Sequence, residues 1–154
     1  MLALALAGCS SVPPLDNVQS SPEAVAQEVL AAIESENRDA LEHLVLSETE
    51  FRDHVWPELP ASRPERNLSF AYVWGDLRQK SEYSLQQSLA EHGGQRYTLA
   101  SVRFGRTTPY DSYVVHRDTV LTVRTRGGDE LDVRLFGSMI EQNGRWKVFS
   151  YVVD

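Results

Sequence analysis

The hydrophobic period of this chain changes once, near Gly93 and Gly94, and that single change constrains the fold more than any other feature. Upstream of it apolar residues recur every three or four positions; downstream they alternate every two. A switch from helical to strand period with no return gives no βαβ pattern and no Rossmann-type fold. It predicts an α+β domain in which helices come first and a meander of antiparallel strands follows, the helices packed on one sheet face.

The helical half has its own punctuation. Ser21, Pro22 and Glu23 form a start signal: a capping hydroxyl, proline at the first helical position and an acid in the first turn. Val25, Val29, Ala32 and Ile33 then share one face. A short second helix is expected after Asn37, with Leu41, Leu44 and Val45 inward. Ser47 and Glu50 have capping-box spacing, so a third helix starts there and stops at Pro57. Residues 57–66, with Pro57, Pro60 and Pro64, read as a loop, and residues 67–92 as one long helix ended by Gly93 and Gly94.

Four strands are expected beyond it. The first runs from Tyr97 to Phe104 and the second, after a turn at Thr108 to Asp111, from Tyr113 to Thr125. Gly127 and Gly128 turn the chain into a third strand, Leu131 to Glu141. Asn143 and Gly144 make the strongest short hairpin signal of all, leading into a fourth strand, Arg145 to Val153.

Composition narrows the functional classes. The 154 residues fit one domain, 42% of them hydrophobic and 24% charged, which excludes a disordered or low-complexity chain. A net charge of −7 argues against nucleic acid as a partner. A single cysteine excludes an internal disulfide framework and a multi-cysteine metal site. The charge is uneven. Residues 9–65 carry 12 acidic and 3 basic side chains, whereas residues 66–154 carry 10 acidic and 12 basic.

The N-terminus carries an address. An apolar run from Met1 ends in Leu6, Ala7, Gly8 and Cys9, with Ser10 and Ser11 after it. This resembles the lipobox of bacterial lipoproteins. The resemblance implies cleavage before Cys9, lipid on its thiol and amine, and anchoring in the cell envelope, on the periplasmic face of the outer membrane in a Gram-negative host. Residues 1–8 read as a clipped signal peptide, since eight residues without Lys or Arg are short of the usual positive and apolar regions. Residues 9–21, rich in Pro, Ser and Asn, read as a flexible tether, and residues 22–154 as the folded domain.

The helical half, the long helix and the final hairpin with Gly144, Arg145, Trp146, Lys147 and Val148 resemble the nuclear transport factor 2-like superfamily. The resemblance implies a cone in which a curved four-stranded antiparallel sheet wraps the long helix. Trp146 is expected to be buried where the last hairpin meets that helix. The superfamily spans isomerases, dehydratases, cyclases, transport factors and lipoproteins, so fold resemblance does not select a function.

Residues that could carry chemistry are few. The first helix has no Tyr for an isomerase-type oxyanion hole, and Asp132 and Glu141 lie outside apolar runs. His116, Asp118 and Arg124 share the even-numbered face of one strand and form the best acid–base candidate, of the dehydratase kind, with surface cross-strand pairing as the plainer account. The opposite positions Val115, Thr119, Leu121 and Val123 read as core. Glu50 and His54 have the i, i+4 spacing of a metal pair but no evident third ligand, so no metal and no cofactor are expected. If the cone is hollow, Tyr72, Trp74, Tyr83, Tyr97, Phe104, Phe136 and Trp146 would line an apolar pocket. Phe149 and Tyr151 alternate with Trp146 and Val148, so they are expected on an outward face with Lys147 at its rim, as a homodimer or partner surface. The expectation that follows is a lipid-anchored domain that binds a protein partner or small apolar ligand without catalysis. The alternative is an isomerase, dehydratase or cyclase using a His–Asp pair.

Overall fold

A computed structural model describes residues 12–153. The chain is α+β, with helices α1 (Pro22–Glu34), α2 (Arg38–Leu44), α3 (Glu48–Glu50) and α4 (Phe70–His92) and two antiparallel sheets. The caps form as the sequence dictates. Ser21 accepts from the Ala24 amide, and Ser47 and Glu50 complete a reciprocal capping box. The helix begun by that box does not end as an α-helix. It loosens into a π turn over Phe51–Val55 and tightens into a 3-10 turn at Trp56–Glu58, with Pro57 accommodated in its first turn. The expected loop is two further 3-10 turns, Pro60–Ser62 and Pro64–Arg66.

The four expected strands are present, but the second and third are each broken once, and one strand forms that was not expected. The first is β1 (Thr98–Arg103), followed by the added β2 (Arg106–Pro109); the second gives β3 (Val114–Arg117) and β4 (Val120–Arg124), the third β5 (Glu130–Val133) and β6 (Ser138–Gln142), and the fourth is β7 (Arg145–Ser150). One sheet has the order β1-β4-β5 and the other β2-β3-β6-β7. The breaks have local causes. Asp118 takes a left-handed backbone with φ 55, which ends β3. At Gly137 a side chain is impossible, because an added Cβ would lie 1.7 Å from the Val152 carbonyl oxygen. The expected turn at Thr108 to Asp111 starts later, since Thr108 and Pro109 pair with Val115 and Val114.

The expected single four-stranded sheet is two sheets, and the helix packed most deeply is not the long one: α1 buries Val25, Ala26, Val29, Leu30, Ala32 and Ile33, whereas α4 buries only Ser81, Leu85 and Ser88. The sheets are not closed into a barrel. Helices do not cover one face only. On one side of β2-β3-β6-β7, Met139 and Val148 join Val29, Leu121 and Phe136 in the larger core. On the other, Val115 and Ile140 join Leu46, Phe51, Val55 and Tyr113 in a second core. Val115, Thr119, Leu121 and Val123 are all buried, as their alternation predicts.

Burial against the two cores corrects the expected outward face. Lys147 is 3% exposed and Tyr151 1%, while Phe149 is half-buried beside Phe51. The Tyr151 hydroxyl donates to the Leu41 carbonyl at 2.6 Å. No free aromatic patch remains for a dimer there. Trp146 is only half-buried, and it stacks on His116 instead of meeting α4. The folded body also starts earlier than Pro22. Leu15 is buried, and the Gln19 and Trp146 backbones exchange hydrogen bonds of 2.8 and 2.9 Å. Cys9 and the lipobox lie outside the described residues. Among the described residues no helix is long and apolar enough to cross a membrane.

Candidate functional site: two clefts beside helix α4

Helix α4 follows from its sequence. Ser69 caps it, and its last turn ends at Gly93, but its apolar positions are sparse. Leu85 and Leu89 dock it on one core and Phe70, Val73, Trp74 and Leu77 on another, with two serine bonds besides. Ser88 donates to the Leu135 carbonyl at 3.1 Å, and the Tyr151 amide donates to Ser81 Oγ at 3.0 Å. Space remains on both sides of the helix. One cleft, of about 320 Å³, lies between the α2–α3 junction and α4, with Leu46, Trp74, Leu77, Leu85, Phe149 and Tyr151 among its walls. The other, of about 390 Å³, lies between the first half of α4 and the bend in the sheet, over Phe51, Leu59, Val73, Leu77, Val115 and Phe149. Leu77 and Phe149 line both clefts and form the divide between them. Phe51 is the hub of the floor, with ring centroids 5.3 Å from Trp74, 6.0 Å from Phe70 and 6.2 Å from Phe149.

The two mouths differ in charge. Around the first cleft each carboxylate already has a guanidinium: Glu42 with Arg38 at 2.7 Å, Glu48 with Arg52 at 2.6 Å, Glu82 with Arg78 at 2.9 Å. At the second, Lys80 pairs with Asp76 at 2.8 Å and Arg106 with Asp118 at 2.6 Å, and Arg117 and Arg134 stand beside them. The Arg106 side chain bonded to Asp118 holds that carboxyl below its ordinary range, and Arg134 and Arg117 push in the same direction.

The acid–base candidates are dispersed. Asp118 belongs to Arg106, and the exposed Arg124 belongs to Glu130 at 3.5 Å. The backbone turn at Asp118 removes it from the alternation that would place it beside His116. His116 has other partners. Its Nε2 lies 2.9 Å from Glu141 and its Nδ1 3.2 Å from Thr107, with the ring packed 4.7 Å from Trp146 and 4.8 Å from Phe104. This His–Glu pair lies outside both clefts. Glu50 and His54 do not converge either. Glu50 turns inward to Lys147, and His54 Nε2 contacts the Pro13 carbonyl at 2.7 Å. Among the described residues no three His, Cys, Asp or Glu side chains gather as a metal site.

The predicted aromatic pocket is not one pocket. Tyr72 and Tyr83 are 66% and 64% exposed on the outer face of α4. Phe136 is sealed in the larger core, and Tyr97 contacts His92 at 2.9 Å at its edge. Phe104 and Trp146 stack with His116, so only Trp74 of the seven reaches a cleft. Phe51, Leu77 and Phe149 make the apolar walls instead. Phe51 and Leu77 keep helical spacing, but Phe149 stands on the strand face expected to point outward, and no sequence pattern separates a packed wall from one facing space.

The buried pair Glu50–Lys147 is the strongest electrostatic feature. Lys147 Nζ donates to both Glu50 oxygens at 2.9 Å and to the Asp16 carbonyl at 2.8 Å. Glu50 also accepts from the Asp16 and Ser47 amides at 2.7 and 2.8 Å. Burial alone would raise its pKa; the Ser47 amide, Lys147 and the Asp16 amide together outweigh that and lower it. Every partner is supplied, so this pair is a fastening between β7, α3 and the N-terminal segment.

No protein-family model, curated protein or solved structure matches the chain.

Proposed function

We propose that the chain is a lipid-anchored envelope domain, attached through Cys9, that binds a small apolar ligand in the clefts beside α4 without transforming it. The observation that carries the binding part is the open apolar trough over Phe51, Leu59, Val73, Leu77, Val115 and Phe149. Its volume of about 390 Å³ falls within the range of small-molecule sites. The non-catalytic reading rests on the candidates' engagements: His116 is enclosed by two aromatic rings and Glu141, and Asp118 by Arg106. The anchor rests on the lipobox resemblance of Leu6 to Cys9.

Two experiments test the reading. Dodecan-1-ol, titrated into the full chain below its micelle concentration, should give a saturable calorimetric heat of binding. Val73→Trp, which fills the trough from its half-buried wall, should abolish calorimetric heat of binding while leaving the melting temperature near wild type. A chain that takes up no apolar probe loses the binding reading. In a bacterial host, with a complete upstream signal, labelled fatty acid should attach at Cys9 and Cys9→Ser should release the protein from membranes; absence of label removes the anchor.

A further inference from the structure

Resting on the binding reading above, we propose that the two clefts are one site for a single unbranched alkyl chain, which crosses beneath α4 through a gate formed by Leu77 and Phe149. The helix places Leu77 on the dividing line. Val73, Asp76 and Lys80 line the trough, whereas Trp74, Arg78 and Leu85 line the first cleft. Leu77 follows Val73 by four positions and Trp74 by three, so it shares a face with both. Phe149 of β7 borders the same two spaces, and among the described residues only these two side chains do so. On either side of this gate α4 is fastened. The Trp74 and Phe51 ring centroids are 5.3 Å apart at one end, and the Tyr151 amide donates to Ser81 Oγ at 3.0 Å at the other. From Trp74 to Ser81 the helix rises about 10 Å.

The gate is thin and free to turn. Leu77 and Phe149 are both half-buried, and each has open volume on two sides. A side chain placed so changes from one staggered rotamer to another without forcing a neighbour aside, which a side chain in the close-packed α1 core does not. Turned aside, the pair joins a cleft of about 390 Å³ to one of about 320 Å³. Each cleft alone lies at the small end of the range for ligand sites, and joined they make a long space narrowed at its middle. That shape fits an extended hydrocarbon. A fused ring or branched tail broad enough to fill either cleft stops at the narrowing between the two fastenings. The walls at both ends are apolar, with Leu59 and Val115 in the trough and Leu46 and Leu85 in the first cleft. Every methylene that crosses the gate therefore leaves water for hydrocarbon, which is worth about fourfold in affinity.

Photocrosslinking of the full chain tests the crossing directly. The probes are octyl and tetradecyl maltoside, each below its micelle concentration and each carrying a diazirine at both ends of its alkyl chain. Mass spectrometry should find the tetradecyl probe bridging a trough residue, Leu59 or Val115, to a first-cleft residue, Leu46 or Leu85. The octyl probe should link within one cleft. Leu77→Trp, which thickens the gate, should remove the bridge and bring the tetradecyl affinity down to the octyl value, with the octyl affinity unchanged. Phe149→Ala, which thins the gate, should increase the bridged fraction and serves as the test if Leu77→Trp does not fold. Tetradecyl links confined to one cleft, or a bridged fraction that falls in Phe149→Ala, overturn the single crossed site. If dodecan-1-ol still gives its heat of binding, the binding reading survives that result; if no probe and no alcohol binds, both are overturned.

Discussion

The sheet β2-β3-β6-β7 has two covered faces, and they are covered in different ways. Toward α1 the contacts are hydrocarbon against hydrocarbon, with Val29, Leu121, Val123, Phe136 and Val148 at 0% exposure. Toward α3 and α4 the cover is made of aromatics, a buried ion pair and the apolar side chains of α4, with Phe70, Trp74, Leu77 and Phe149 only part-buried. Dense apolar packing on the first face has no alternative arrangement of similar energy. The second face has directional bonds at its edges and empty volume between them. One sheet therefore serves as a rigid floor for one layer and as an adjustable wall for the other.

The comparison is most severely strained by Lys147→Ala. It strands a buried carboxylate and should cost about 3–5 kcal/mol in denaturant unfolding. Glu50→Leu with Lys147→Met should recover most of that loss; if it does not, the pair's bonds to Asp16 and Ser47 matter more than its charge. The same pair sets a pH dependence. The Glu50 carboxyl, although burial opposes it, is held by the Ser47 amide and Lys147 below its ordinary value of about 4.5. Its contribution is present above the unfolded value and is lost as pH falls through the lower folded one. An acid titration of wild type should thus lose stability that Glu50→Leu with Lys147→Met retains.

Leu121→Ala comes next, at about 3 kcal/mol, because the α1 face cannot collapse into the space left. Tyr151→Phe should cost about 1–2 kcal/mol, since the buried Leu41 carbonyl loses its donor. Phe149→Ala should be mildest, at about 1 kcal/mol, because the ring already borders a cleft and its removal enlarges existing space. A Phe149→Ala cost equal to that of Leu121→Ala would show that the two faces are equally tight.

What could be read in advance divides along the same line. The α1 face was legible because Val25, Val29, Ala32 and Ile33 keep helical spacing and Leu121 and Val123 keep strand spacing, both with polar residues opposite. Ser21 and Ser47 marked helix starts through hydroxyl chemistry that acts over three residues. The face expected to point outward was misjudged because Lys147 and Tyr151 look like solvent-facing residues until Glu50, nearly a hundred positions from Lys147, and Leu41 are brought to them. Strand length was overestimated for a related reason. Asp118 and Gly137 break strands through backbone geometry, which alternation of side chains does not report. The clefts were invisible, since empty space has no residue of its own.

The N-terminal segment from Leu15 to Gln19, fixed to β7 by the Asp16 and Gln19 backbones and to Glu50 by the Asp16 amide, also sets a leash length. Six residue steps separate Cys9 from Leu15, and a fully extended chain covers at most about 20 Å in that distance. A lipid on Cys9 would therefore hold the domain close against the bilayer surface, not dangling from it. Tension on the anchor would reach the body first at Leu15 and Asp16, and so at the Glu50–Lys147 fastening. The joint that ties the second face together would then also be the strain point through which the membrane could pull on it.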